Sequence, residues 1–162
     1  MKQQKRRGAR TFTGVAGEHY VAAELWRRGA IATVTSKNTP DFDIMASSAD
    51  GFPAIVIQVK ALRSDSYGFP LGTMHQYPEN SFHVFVLIKG EEEPPRYWII
   101  PSNEVIGVAK TENENWLKGR SEKSASAPVT LQWKHLKEKG IFENHLNRWD
   151  LLGIIPKQVV AG

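Results

Sequence analysis

A single α/β domain built round one mixed β-sheet is the fold this sequence predicts. Three observations lead there. A helical pattern from Thr13 to about Arg28 is followed by five short strand patterns, and a second helix start appears only after the last of them. The most hydrophobic of these runs, Ala54 to Leu62, opens with consecutive apolar residues, the mark of a central strand buried on both faces. At 162 residues the chain is long enough for one proper core and too short for two.

The elements follow in order. The first helix carries Val15, Ala22, Leu25 and Trp26 on one stripe and is stopped by Gly29. Ala30 to Ser36 reads as a first strand, with the turn Asn38-Thr39-Pro40-Asp41 after it. Phe42 to Ser47 is a short second strand, and Ser48 to Pro53 a hairpin-type turn. Ala54 to Leu62 is the third strand, followed by a Gly/Pro/Tyr-rich loop from Arg63 to Ser81. Phe82 to Gly90 and Arg96 to Pro101 are the fourth and fifth strands, parted by the solvated turn Glu91 to Pro95. A short helix over Pro101 to Lys110 takes Ser102 as its N-cap. These readings divide the chain into a basic flexible tail (1–12), an α/β core (13–110), a polar connector (111–128) and a C-terminal segment packed back on the core (129–162). In that last part Trp133 and Trp149, like Trp116 before them, read as core or cover residues, with a homodimer surface as the other option.

Composition narrows the chemistry. A hydrophobic fraction of 41% and a charged fraction of 23% are those of a globular domain, and no apolar run approaches the ~20 residues that span a bilayer. The absence of Cys excludes disulfides, thiolate catalysis and Cys-ligated zinc. A cytoplasmic, prokaryote-like setting is therefore the default expectation. His19, His75, His83, His135 and His145 show no metal-ligand spacing, and neither a phosphate-cradling glycine loop nor a serine nucleophile motif is present. The net charge of +4 is unevenly placed. Lys2, Lys5, Arg6, Arg7 and Arg10 stand in a tail without acids, so the rest of the chain sums to −1. A basic arm on a near-neutral body suits a polyanionic partner, and equally a solubilising terminus.

Four residues break their local pattern. Glu18 falls inside the apolar stripe of the first helix, where a carboxylate needs a cation, a metal or a polar cleft. Asp41 and Asp43 alternate about Phe42 at the start of the second strand, a place where Asp is depleted. Asp41 is also explained as a turn residue after Pro40; Asp43 is not. Gln58 and Lys60 share one face of the third strand, where the run predicts more Val and Ile. Carboxylates and an amide oxygen are the hard ligands Mg²⁺ takes, and a lysine beside a bound water can orient it or accept its proton. That is an inventory for metal-assisted phosphodiester hydrolysis. A buried Glu18–Lys60 ion pair in a purely structural domain would account for two of the four.

The segments GVAGEHYVAAELWRRG, TPDFDIMA and IVIQVKAL resemble, in order and spacing, the core motifs of the PD-(D/E)xK nuclease superfamily. The resemblance implies a restriction endonuclease-like fold with an αβββαβ core. It implies a divalent metal, Mg²⁺ or Mn²⁺, held by Asp43, Gln58, Glu18 and Asp41, and a catalytic group of Asp43, Gln58, Lys60 and Glu18. It also implies DNA as partner, branched or structured nucleic acid included, contacted through the basic tail, Arg63 and Tyr67. Asp43 is preferred to Asp41 because it leads directly into the apolar strand. Gln58 stands where the superfamily usually carries Asp or Glu, so a nuclease-fold protein that binds or assembles without cutting is the alternative.

Overall fold

The structure, a computed structural model, describes residues 2–36, 41–66, 68–72, 76–118 and 129–156, with side chains from residue 12 onward. Helix α1 (Lys2–Arg27) leads into strands β1 (Ile31–Val34), β2 (Ile44–Ser47) and β3 (Ala54–Leu62). Strands β4 (Gly68–Gly72), β5 (Ser81–Leu87) and β6 (Arg96–Pro101) precede helix α2 (Ser102–Leu117). Strand β7 (Val129–Gln132), the short helices α3 (Trp133–Glu138) and α4 (Ile141–His145) and a 3₁₀ turn at Trp149–Leu152 complete the described chain.

The main sheet has the order β1-β2-β3-β5-β6. Only β3 and β5 run parallel; the other neighbours are antiparallel, so the sheet is mixed as expected. The crossover between β3 and β5 carries β4 rather than a helix, and β4 pairs with β7 in a second, two-stranded sheet. The predicted long loop thus contains a strand. Gly68, Pro70 and Gly72 read as turn residues, yet Phe69 and Leu71 between them are buried.

Alternation along the strands sorts the core into two layers. Ile55, Ile57 and Val59 of β3 and Val84 and Val86 of β5 meet Val21 and Leu25 of α1 on one face. Phe85 and Leu87 of β5 with Trp98 and Ile100 of β6 face Phe69, Val105 and Leu131 on the other. Fully burying a side chain such as Leu25 is worth about 1.5–3 kcal/mol, so α1 is held chiefly by this face. Trp149 lies in the first layer and Trp133 against the second, as core and cover, whereas Trp116 is exposed.

Three local readings change. Helix α1 extends back to Lys2 instead of starting at Thr13, because Lys, Gln and Arg are good helix formers even without an apolar stripe to announce them. Its buried face is Gly17, Val21, Ala22 and Leu25; Trp26 is 57% exposed and its indole N–H donates to the Ala32 carbonyl at 2.9 Å. Ser102 is the first residue of α2 rather than its cap: Pro101 holds the cap position, and the Ser102 hydroxyl pairs with His83 Nδ1 at 2.9 Å. Helix α2 itself runs on to Leu117, through the first part of the predicted connector. The rest of that connector lies outside the described residues.

Gly17 sets how closely α1 approaches the sheet. A Cβ there would lie 2.6 Å from Ala61 Cβ, well inside contact distance. Gly17→Val is expected to destabilise the fold by about 1–3 kcal/mol through overpacking, read from urea denaturation. Ala61→Gly should recover part of the loss in Gly17→Ala but not in a variant far from this contact.

Candidate active site

Strand lengths create the site. Ile44 of β2 pairs with Ile57 of β3, so β2 enters the sheet opposite the middle of β3, which continues five residues further to Leu62. Asp43 stands at this entry. Its backbone still follows the sheet, with its N–H donating to the Ile57 carbonyl at 2.9 Å and its own carbonyl accepting from Thr35 N–H at 2.8 Å. Its side chain then takes over from the missing ladder. Oδ2 accepts from the Val59 backbone N–H at 2.7 Å and from Gln58 Nε2 at 2.8 Å.

Gln58 and Lys60 project from the sheet face opposite α1, since Val59 and Ala61 between and beside them are the residues that meet the helix. Both are half-buried. Burial pushes the Lys60 ammonium pKa down, and the nearby Asp43 carboxylate pulls it partly back. The structure therefore brings together Asp43, Gln58 and Lys60.

Asp41 and Glu18 are placed differently. Asp41 is exposed and has φ 71°, in the left-handed region, so it belongs to the turn ahead of β2 and not to the strand alternation with Asp43. Glu18 is half-buried on α1, three, four and seven residues before the buried Val21, Ala22 and Leu25, so it lies within the apolar face of the helix. Among the described residues no group of three His, Asp or Glu side chains is arranged to hold a metal ion. Arg63 is exposed at the end of β3, where its Nε donates to Thr13 Oγ1 at 3.2 Å. Tyr67 lies outside the described residues. Lys2, Lys5, Arg6, Arg7 and Arg10 lie on the first turns of α1, and their side chains lie outside the described part.

Sequence reasoning missed Tyr77. It precedes β5, and the parallel crossover returns the chain to start β5 beside Val56, next to Gln58. Burial raises its phenol pKa, with Asp41 and then Asp43 adding to the effect. The sequence signal was only that a parallel partner must begin near this end of β3; Tyr67, earlier in the same loop, drew the attention instead.

The donors suit one kind of cation. Mg²⁺ usually keeps several waters and is held by one or two carboxylates together with substrate phosphates, not by an all-protein cage. Asp43 has both of its hydrogen bonds on Oδ2, and the Gln58 carboxamide lies against it. One carboxylate and one amide oxygen fit an ion that arrives with its substrate.

No family model matches the chain, and no curated protein matches it. Among solved structures it is similar to Hjc, a Holliday junction resolvase from the archaeal hyperthermophile Archaeoglobus fulgidus, at 15% identity and a TM-score of 0.47, over 89% of this chain and 98% of that one. No helix among the described residues is long and apolar enough to cross a membrane.

Lys60 gives a stability test that needs no substrate. Its folded pKa is below the unfolded value, so the unfolded state binds more protons between the two and stability rises with pH across that window. Below the window the desolvation cost is present in full. Lys60→Met should therefore raise the urea midpoint at neutral pH, and its advantage should narrow as pH climbs toward that of free lysine.

Proposed function

We propose that this chain is a divalent metal-dependent nuclease that hydrolyses phosphodiester bonds of DNA. The observation that carries the reading is the meeting of Asp43, Gln58 and a desolvated Lys60 where β3 outruns β2. The sequence pattern that led to these residues supports it from a separate direction.

In this reading Asp43 Oδ1 and the Gln58 carbonyl oxygen hold Mg²⁺ or Mn²⁺. The ion, when bound, polarises the phosphoryl oxygen and makes a bound water more acidic. The Val59 N–H fixes the Asp43 carboxylate so that it does not have to reorganise when substrate arrives. Lys60, with its pKa lowered by burial, is better able than a solvated lysine to take a proton from the attacking water near neutral pH. Asp41, which lines the same cleft as Gln58, and Glu18 on α1 would help hold the ion directly or through water. The residues at the start of α1 and Arg63 would track phosphates without reading sequence.

One observation favours a second reading, a nuclease-fold module that binds nucleic acid without cutting it. Gln58 Nε2 donates to Asp43, so the carboxylate is satisfied without a cation.

Cleavage of linear, supercoiled and four-way-junction DNA in Mg²⁺ and Mn²⁺ separates the two. The nuclease reading expects at least one form to be cut, with Asp43→Asn and Lys60→Ala each losing about 10²–10⁴-fold in rate. Gln58→Glu should tighten Mn²⁺ binding by calorimetry and keep or raise the rate. Binding of DNA without cleavage by the wild type, in either metal, would establish the non-cutting module.

A further inference from the structure

Beside Asp43 and Gln58 lies a cleft of about 240 Å³. It is lined by Val56 and Gln58 of β3, by Phe42 ahead of β2, and by Gln76, Tyr77 and Pro78 ahead of β5. Pockets for drug-sized ligands begin at roughly 300 Å³, so this one takes a single planar ring system. Among the described residues no Lys or Arg lines it, and Asp41 does. That lining suits an uncharged ring with hydrogen-bonding edges better than a phosphate.

Tyr77 is held as a platform. Its ring meets the His83 ring edge-on, with centroids 5.0 Å apart and planes at 76°. His83 is fully buried and its Nδ1 is hydrogen-bonded to Ser102 Oγ at the start of α2, so the support is part of the core. Gln76 adds an amide group that offers both donor and acceptor.

We infer that this cleft is a subsite for one unpaired nucleobase, stacked against Tyr77 and Phe42 while the backbone of the same strand lies at Asp43, Gln58 and Lys60. The inference rests on the nuclease reading above and deepens it: the substrate is DNA that offers a base out of its stack, at a bulge, a junction or a single-stranded segment. Base-on-aromatic stacking tolerates any base, so the subsite selects unpaired structure rather than sequence.

The test compares two duplexes, one with a single-nucleotide bulge and one with an abasic residue at the same bulge, by fluorescence anisotropy in Ca²⁺. The wild type should bind the base-bearing bulge roughly 5- to 100-fold more tightly, the range that stacking of one base supplies. Tyr77→Ala should bring the two affinities together, and Tyr77→Trp, which keeps a stacking face, should preserve the difference. If the wild type binds both bulges equally, or if Tyr77→Ala still discriminates, the subsite is discarded and the nuclease reading stands. If the wild type binds and cuts no DNA of any form, both fall.

Discussion

Strand β3 has nine residues and its antiparallel neighbour β2 only four, so beyond Ile57 one edge of β3 loses its ladder inside the protein. A buried backbone N–H left without an acceptor costs about 1–3 kcal/mol. Asp43 Oδ2 meets the Val59 N–H at 2.7 Å and removes that cost. The same oxygen takes the Gln58 amide, which fixes the side chain across the strand gap. An Asp at this position is thus required by backbone hydrogen bonding before any chemistry is considered. The carboxylate so placed is also what offsets part of the desolvation of Lys60.

The two faces of the sheet are covered unequally, and this places the site. Helix α1 covers one face over β1, β2 and β3, and Trp149, Leu152 and Ile154 complete that layer. On the other face α2, β4 and β7 cover β5 and β6. The β2–β3 half of that face is left open, as Met45 shows by being 53% exposed on a strand whose Ile44 and Ala46 are buried. Gln58 and Lys60 sit on this half because β3 alternation allows nothing else once Ile57 and Val59 belong to α1. Polar residues in a central strand are tolerated here since they border a cleft and not a core.

Much of this was legible from residues alone. Ala54–Leu62 and Arg96–Pro101 have the bounds the sequence suggests, because dense β-branched and aromatic runs flanked by Pro leave no competing period. The Asp43, Gln58 and Lys60 group was visible because each violates the pattern of a strand. What escaped had physical reasons. Trp26 looked like part of the buried stripe of α1 because Gly17 carries no side chain to mark the true contact face; the stripe runs through Val21 instead. Asp41 obeyed a strand alternation on paper, but its positive φ ends that alternation before it begins. Strand β4 was hidden by its own Gly and Pro, and it becomes a strand only because β7, some sixty residues on, supplies its partner. Tyr77 has no residue pattern of its own to mark it; its place depends on the parallel crossover.

Position 58 decides how the site balances its charge. Two carboxylates at the 2.8 Å separation found between Gln58 and Asp43 could not both ionise without a cation or a shared proton between them. An acid at 58 would therefore make the site depend on metal for its resting state. The amide instead donates to Asp43 and leaves the pair satisfied by itself. On the nuclease reading, a cation held by Asp43 Oδ1 and the Gln58 carbonyl oxygen would meet one formal negative charge, so the remaining attraction would come from substrate phosphates. On that reading, affinity for metal and affinity for DNA would be linked more tightly than in a site with two carboxylates. Gln58 would then shift the metal's charge balance from protein to substrate.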